Sequence, residues 1–265
     1  PSIAGERIGC LGVSEVGAGS DVASVKTTAR RDGDDYVING GKMWITNGYQ
    51  ADWACVLVNT AANGAPHKNK SLIVVPLDTK GVSRSAPLNK HGLRASDTAQ
   101  IYFDDVRVPI RYRIGEENLG FRYQMEQFQE ERLYSAIRTT TQLERALDIT
   151  VEYTMQRKAF GETLFDKQWV SFNLAALATE VALLRALSEK AVAAYVAGAD
   201  VTLLASMAKL HAGKLARTVP DQCLQFFGGQ GYMWDSEIST VARDLRLVAL
   251  GGGAIEIMMS VVAKH

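Results

Sequence analysis

Between Gly161 and Gly198 the chain contains neither glycine nor proline, and Leu174, Leu177, Val181, Leu184 and Leu187 recur there at steps of three or four residues. Side chains so spaced share one face of an α-helix, so the interval predicts a long helix with a buried stripe. A second long helix is expected from Phe121 to Met155, and a third from Leu203 to Val219, stopping near Pro220. Beyond the Gly228-Gly229-Gln230-Gly231 break another helical stretch runs through Leu247. Gly251-Gly252-Gly253 interrupts it before a last short helix.

Upstream of Pro109 the period differs. Trp53 to Val58 and Ser71 to Val75 are compact apolar or β-branched runs, and Ile101 to Pro109 alternates approximately and ends on proline. Asp32-Gly33-Asp34 is a turn signal between two strand-like runs, and the polar stretch Ala61 to Lys70 reads as a surface loop. This half predicts an antiparallel sheet or barrel of about six to eight short strands. The expected class is α+β: a β-domain over 1–112 and an up-down helical bundle over 113–265, with the boundary near Arg111 to Glu117. No internal repeat or low-complexity tract stands out.

At 47% hydrophobic and 22% charged residues the composition is that of a globular chain rather than a disordered one. Lys+Arg and Asp+Glu both total 29, so no net charge favours nucleic acid or an anionic membrane. No apolar run is read as reaching the roughly 18 residues of a bilayer span. Cys10, Cys55 and Cys223 are too few and too scattered for a disulfide framework or a zinc site, and the histidines lack metal-ligand spacing, so a reducing compartment and no metal are expected. The chain starts at Pro1, which reads as a processed form or a fragment.

Two short segments carry the chemistry. Leu11-Gly12-Val13-Ser14-Glu15-Val16-Gly17-Ala18-Gly19-Ser20-Asp21 is a glycine-rich loop, and Lys42-Met43-Trp44-Ile45-Thr46-Asn47-Gly48 joins an aromatic face, a hydroxyl and a glycine turn. A glycine loop alone is more often a plain turn than a ligand cradle. Together, in order, the segments resemble the flavin-binding signature of the acyl-CoA dehydrogenase family, roughly T-E-P-G-A-G-S-D followed by K-x-W-I-T-N-G. The resemblance covers nearly the whole chain, matching the family's middle and carboxy-terminal domains. The amino-terminal helical domain of that family, which helps form the acyl pocket and the tetramer, has no counterpart in this sequence.

The resemblance implies FAD as cofactor and α,β-dehydrogenation of an acyl-CoA thioester to the trans-2-enoyl-CoA. That chemistry needs a base for the α-proton, an acceptor for the β-hydride and donors to the thioester oxygen. No side chain accepts hydride, so the flavin must. Many members carry the base as Glu in a Tyr-Glu-Gly-Thr loop; here Gly252 occupies that place. Isovaleryl- and long-chain members supply it from an earlier helix in a Glu-Arg-Leu context, which puts Glu131 of Gln129-Glu130-Glu131-Arg132-Leu133 in the base position. Without the flavin motifs Glu130 and Glu131 would read as a solvated helix face. Glu256 competes as base, although its register points it along the last helix. The backbone N–H of Gly252, with a flavin ribityl hydroxyl, would polarise the thioester carbonyl. Ser20, Gln129, Arg132 and Gly251 are the substrate contacts implied.

The implied flavin contacts are Leu11, Val13, Ser14, Gly19 and Ser20 in the first segment and Trp44, Ile45 and Thr46 in the second. Ser14 stands for the commoner threonine and Val16 for the usual proline. Gln156-Arg157-Lys158-Ala159-Phe160-Gly161 resembles the family's R-x-x-F-G segment, with Gln168 following. There Arg157 and Phe160 would meet the cofactor across a subunit boundary, the arginine pairing with its pyrophosphate. Gln225 and Gly229 fall in a Q-x-x-G-G-x-G match with the same cross-subunit role, and Ala254 replaces a common threonine. His91 lies in another family-like stretch and is given no catalytic role.

The partners implied are an acyl-CoA substrate, an electron-transfer flavoprotein and further copies of the chain in a homotetramer built as a dimer of dimers. The location implied is the mitochondrial matrix in a eukaryote and otherwise the cytoplasm. Flavin oxidases and monooxygenases of the same fold, a DNA-associated flavoprotein and an inactive relative are the alternatives. Acyl chain length and branching are left open by the sequence.

Overall fold

A computed structural model describes all residues, 1–265. They form two compact units, one of residues 1–90 and 94–126, the other of residues 91–93 and 127–265.

The first unit is built on one eight-stranded sheet: β1 Gly9–Gly12, β2 Thr28–Asp32, β3 Asp35–Thr46, β4 Trp53–Asn59, β5 Lys70–Pro76, β6 Val82–Arg84, β7 Thr98–Pro109 and β8 Arg113–Ile114. The hydrogen-bonded order is β6-β7-β3-β2-β4-β5-β8, with β1 attached to β4. The Asp32-Gly33-Asp34 signal closes the β2–β3 hairpin, where Gly33 takes the left-handed φ of +64° that such a turn needs. The sheet is mixed rather than purely antiparallel. β1 runs parallel to β4 from Gly9 opposite Trp53 to Gly12 opposite Val56, and β2 meets β4 only at Thr28 and Asn59. The short β2 contact leaves most of that β4 edge unpaired, and β1 satisfies its backbone groups. Alternate residues of the strands, among them Ile38, Val56, Val58, Ile73, Val75, Ile101 and Val106, are fully buried and make the core.

The second unit is helical: α1 Gly120–Gln156, which starts in the first unit, α2 Gln168–Val196, α3 Thr202–Phe227, α4 Glu237–Leu245 and α5 Ile255–Val262. Val170, Leu174, Leu177, Val181 and Leu184 of α2 are buried against Leu143 and Leu147 of α1 and Ala212, Leu215 and Val219 of α3. Leu187 is only partly buried at the margin. Each such leucine or valine withdrawn from water contributes about 1.5–3 kcal/mol.

Three expectations change. Pro220 does not stop α3: it lies inside the helix and is buried, and Val219, Cys223 and Phe226 carry the apolar face past it. Packing outweighs the hydrogen bond lost to the ring, a loss of about 3 kcal/mol in a solvated helix. A small antiparallel pair, β9 Lys158–Ala159 and β10 Glu162–Thr163, interrupts the helical half. Finally, α2 is long and apolar enough to cross a membrane by length and composition, with a mean hydropathy of 1.5 in its most apolar stretch, so the reading that no run reaches that length is corrected. The scattered charges Glu180, Arg185, Glu189 and Lys190 hid the average.

Candidate active site

In the first unit, β1 leads into the glycine loop. Glu15 and Ala18 exchange both backbone hydrogen bonds, at 3.0 and 3.1 Å, closing a tight turn with Val16 and Gly17 at its exposed tip. The Glu15 carboxylate, itself buried, accepts from the backbone N–H of Lys26 (2.7 Å) and of Thr27 (3.0 Å), from the Thr27 hydroxyl (2.6 Å) and from Lys42 Nζ (2.8 Å). Lys42 Nζ also donates to the Val13 carbonyl at 3.0 Å, and the Met43 N–H to the Ser14 carbonyl at 2.8 Å. The two sequence segments are thus tied together by Glu15 and Lys42. Burial would raise the Glu15 carboxyl, but Lys42 and these hydrogen bonds hold it below its usual range. Burial pushes the Lys42 ammonium down to about 8 despite Glu15.

The β3–β7 ladder slips between Lys42 and Ile45, and in that bulge Trp44 adopts φ +59°. A bulge re-aims side chains: the indole is 54% exposed while Ile45 beside it is buried, and Thr46 is open to solvent. Leu11 and Val13 alternate between half-buried and buried, and a Cβ at Gly17 or Gly19 would meet no atom within 4 Å. An exposed indole, the hydroxyls of Ser14, Ser20 and Thr46 and an open glycine loop suit a planar heteroaromatic ring with a polar edge and an anionic tail. These residues fit a flavin nucleotide.

In the second unit the loop Gly251-Gly252-Gly253 separates α4 and its trailing turn from α5, with Ala254 capping α5. Gly252 (φ +64°) is exposed and its N–H donates to no protein acceptor, while Gly253 (φ +99°) lies close to Arg132. Arg132 is buried on α1, its Nε has no partner, and burial lowers its pKa. Its Nη1 makes only a long 3.4 Å contact to Gln129 Oε1. Glu131, one residue earlier, is half-buried and accepts from Gln127 Nε2 at 2.7 Å. Glu256 is exposed on α5, and Glu130 is exposed on α1. The base candidate is therefore adjacent in sequence to Arg132, an α1 side chain that reaches the glycine loop.

The remaining candidates of this unit gather elsewhere. Tyr153 stacks on Phe227 at 4.2 Å and Trp169 meets Phe226 edge-on at 5.6 Å, bringing together the end of α1, the start of α2 and the end of α3. Arg157, Phe160, Gln168, Gln225 and Gly229 are all exposed there. Phe160 is 97% exposed at the tip of the β9–β10 hairpin, where it and Gly161 both have positive φ. A bare aromatic ring on a strained turn is costly without a partner surface. Gln225 lies sixteen residues beyond Lys209 on α3, about 24 Å at 1.5 Å per residue, so this group is remote from the Gly252 loop.

Two further features were not read from the sequence. Lys42 was part of a recognised segment but its role as a tie was not assigned. Lys209 on α3 is wholly buried, and the signal was available: it shares the apolar face of Ala205, Ala208 and Ala212. A cavity of about 710 Å³ beside α3 and α4, lined in part by His91, Arg217, Trp234 and Arg243, contains none of the candidates. His91 heads a segment held structurally, since the Leu93 N–H donates to Asp244 Oδ1 at 2.6 Å.

Residues 10–106 match the family profile "Acyl-CoA dehydrogenase, middle domain" and residues 118–265 match "Acyl-CoA dehydrogenase, C-terminal domain". The chain belongs to the acyl-CoA dehydrogenase family. The mitochondrial long-chain specific acyl-CoA dehydrogenase of Rattus norvegicus is 38% identical over 99% of this chain and 61% of its own length. An acyl-CoA dehydrogenase crystal structure from Geobacillus kaustophilus superposes with a TM-score of 0.97 at 41% identity, over 99% of this chain and 69% of that one. A chain in the structure of the electron transferring flavoprotein of Acidaminococcus fermentans gives a TM-score of 0.95 at 30% identity, over 98% and 68%. This chain thus spans about three-fifths of the rat acyl-CoA dehydrogenase.

Proposed function

We propose that the protein to which this chain belongs oxidises an acyl-CoA thioester between its α and β carbons. The observation that carries the reading is the Gly251–Gly253 loop, with its unpaired Gly252 N–H, lying against Arg132 beside Glu131. Bound FAD would supply the acceptor for the β-hydride. Glu131 takes the α-proton onto its carboxylate, and the Gly252 N–H donates to the thioester oxygen as that oxygen gains charge. Arg132 and Gly251 line the thioester end, with Gln129 beside them, and Ser20 would contact substrate near the flavin. Leu11, Val13, Ser14, Gly19, Trp44, Ile45 and Thr46 would hold the flavin. Ala254 would lie near the cofactor without the hydroxyl that relatives often have there.

The separation along α3 supports assigning Arg157, Phe160, Gln168, Gln225 and Gly229 to the cofactor of a neighbouring subunit, within a homotetramer. An electron-transfer flavoprotein would take up the electrons, in the mitochondrial matrix of a eukaryote or the cytoplasm of a bacterium. The test is a screen of straight- and branched-chain acyl-CoAs with a dye acceptor, on this chain and on a chain of the relatives' full length. Bleaching of the flavin by at least one thioester without oxygen uptake is expected. Consumption of oxygen would select an oxidase, and no reduction by any thioester would overturn the proposal.

A further inference from the structure

Lys209 is a lysine with no solvent exposure, and its ammonium donates to three main-chain carbonyls: Val248 at 2.6 Å, Gly251 at 3.0 Å and Gly253 at 3.1 Å. All three belong to the segment that ends in the glycine loop. The charged side chain that reaches it, Arg132, has the same sign, and burial together with Arg132 brings the Lys209 pKa down to about 8. Burying an ammonium among carbonyl dipoles alone is expensive, and a short connection between two helices does not require it.

The geometry of the peptide says what the arrangement accomplishes. No peptide in the chain is cis, and in a planar trans peptide the C=O of one residue and the N–H of the next point in opposite directions. With the Gly251 carbonyl turned onto Lys209, the Gly252 N–H must point away from it. That N–H donates to no protein group. Gly252 and Gly253, both at positive φ, could otherwise rotate freely.

We infer that Lys209 is a positioning residue that fixes the Gly251–Gly252 peptide so that its N–H faces the thioester oxygen. The inference rests on the dehydrogenase reading above. Lys209 touches neither substrate nor cofactor; it acts through the peptide. Because a glycine peptide flips at little steric cost, an unheld loop would turn its carbonyl toward the developing charge, opposing it.

The test uses the full-length holoenzyme and Lys209→Met, which keeps the length and apolar stem and removes the donors. The Gly252 amide signal in glycine-labelled protein should move in the variant. The carbonyl stretch of a bound, carbonyl-labelled acyl thioester should lose most of its shift to low frequency. A fall in kcat of about 10²-fold is expected with KM nearly unchanged, since the donor is strongest in the transition state. A variant with the parent's carbonyl stretch and kcat would overturn the inference. If Lys209→Met does not fold, a structure of the parent with an unreactive acyl thioester decides. Gly251 O on Lys209 with Gly252 N on the thioester oxygen supports it, and any other orientation refutes it. A parent that reduces flavin with no acyl-CoA sinks the dehydrogenase reading instead, and the Gly252 amide signal still judges Lys209.

Discussion

Lys42 Nζ and Glu15 Oε1 are 2.8 Å apart, with the lysine side chain wholly shielded from water and the carboxylate accepting three further hydrogen bonds. Removing one member of such a buried pair strands the other. Lys42→Met is therefore expected to cost about 3–5 kcal/mol and to loosen the glycine loop at Val13. Urea denaturation and FAD content measure the two effects, and adding Glu15→Gln should recover much of the stability. Equal stability of Lys42→Met and parent would refute the role of the pair.

The pH dependence of stability follows from four buried groups and the half-buried Cys55. Lys42 and Lys209 have folded values near 8 against an ordinary 10.5, so between those values the unfolded chain holds protons that the folded chain has released. Stability therefore rises with pH there. Burial raises Cys10 to about 12 and Cys55 and Cys223 to about 11, from 9.0, so above 9.0 the folded chain holds the extra protons and stability falls. Two rising contributions act from pH 8, and three opposing ones join them above 9. The expected result is a stability maximum near pH 9 in reducing buffer, by denaturant midpoints from pH 7 to 11. A maximum below pH 8 would show that other groups dominate.

Glu131→Gln keeps size and polarity but loses the basic oxygen. In a full-length protein, flavin reduction by an acyl-CoA should fall by about 10³-fold or more while FAD stays bound; Glu256→Gln should cost little. Moving the carboxylate with Glu131→Thr and Gly252→Glu should restore part of the rate. A Cβ at Gly252 would meet only Lys209 Cε at 3.7 Å, an ordinary contact, although the φ of +64° adds strain. Stopped-flow reduction at the parent rate by Glu131→Gln would remove Glu131 as base.

Arg157→Ala and Phe160→Ala should lower FAD content in the assembled protein and leave the helical bundle intact by circular dichroism, since both side chains are exposed. Dilution that dissociates the assembly should release FAD as well. A monomer that keeps its full FAD would contradict the cross-subunit assignment.

The buried stripe of α2 leaves Trp169, Phe172, Leu183 and Val196 exposed, between 57% and 79%. We expect this surface to be covered by another copy, so Leu183→Glu should shift light scattering at low micromolar concentration toward smaller species. An unchanged mass would place the interface elsewhere.

The helices were legible because a 3.6-residue period survives any arrangement of neighbours: the expected Phe121 to Met155 became Gly120–Gln156. The β2–β3 hairpin was legible because glycine alone tolerates its turn so readily. The order of the two family-like segments was likewise a property of the chain itself. Pro220, the β1–β4 pairing and the Trp44 bulge were not, since each depends on groups brought from far along the sequence. Pro220 in isolation breaks a helix, and only the packing of Val219, Cys223 and Phe226 overrides it. The three main-chain carbonyls that receive Lys209 lie about forty residues downstream on the chain and come together around it only when α3 and α5 pack. Local periodicity and turn chemistry thus determined the elements and their order. Which main-chain carbonyls receive the buried Lys209 was decided by long-range packing, because hydrogen-bond satisfaction is a property of the folded interior.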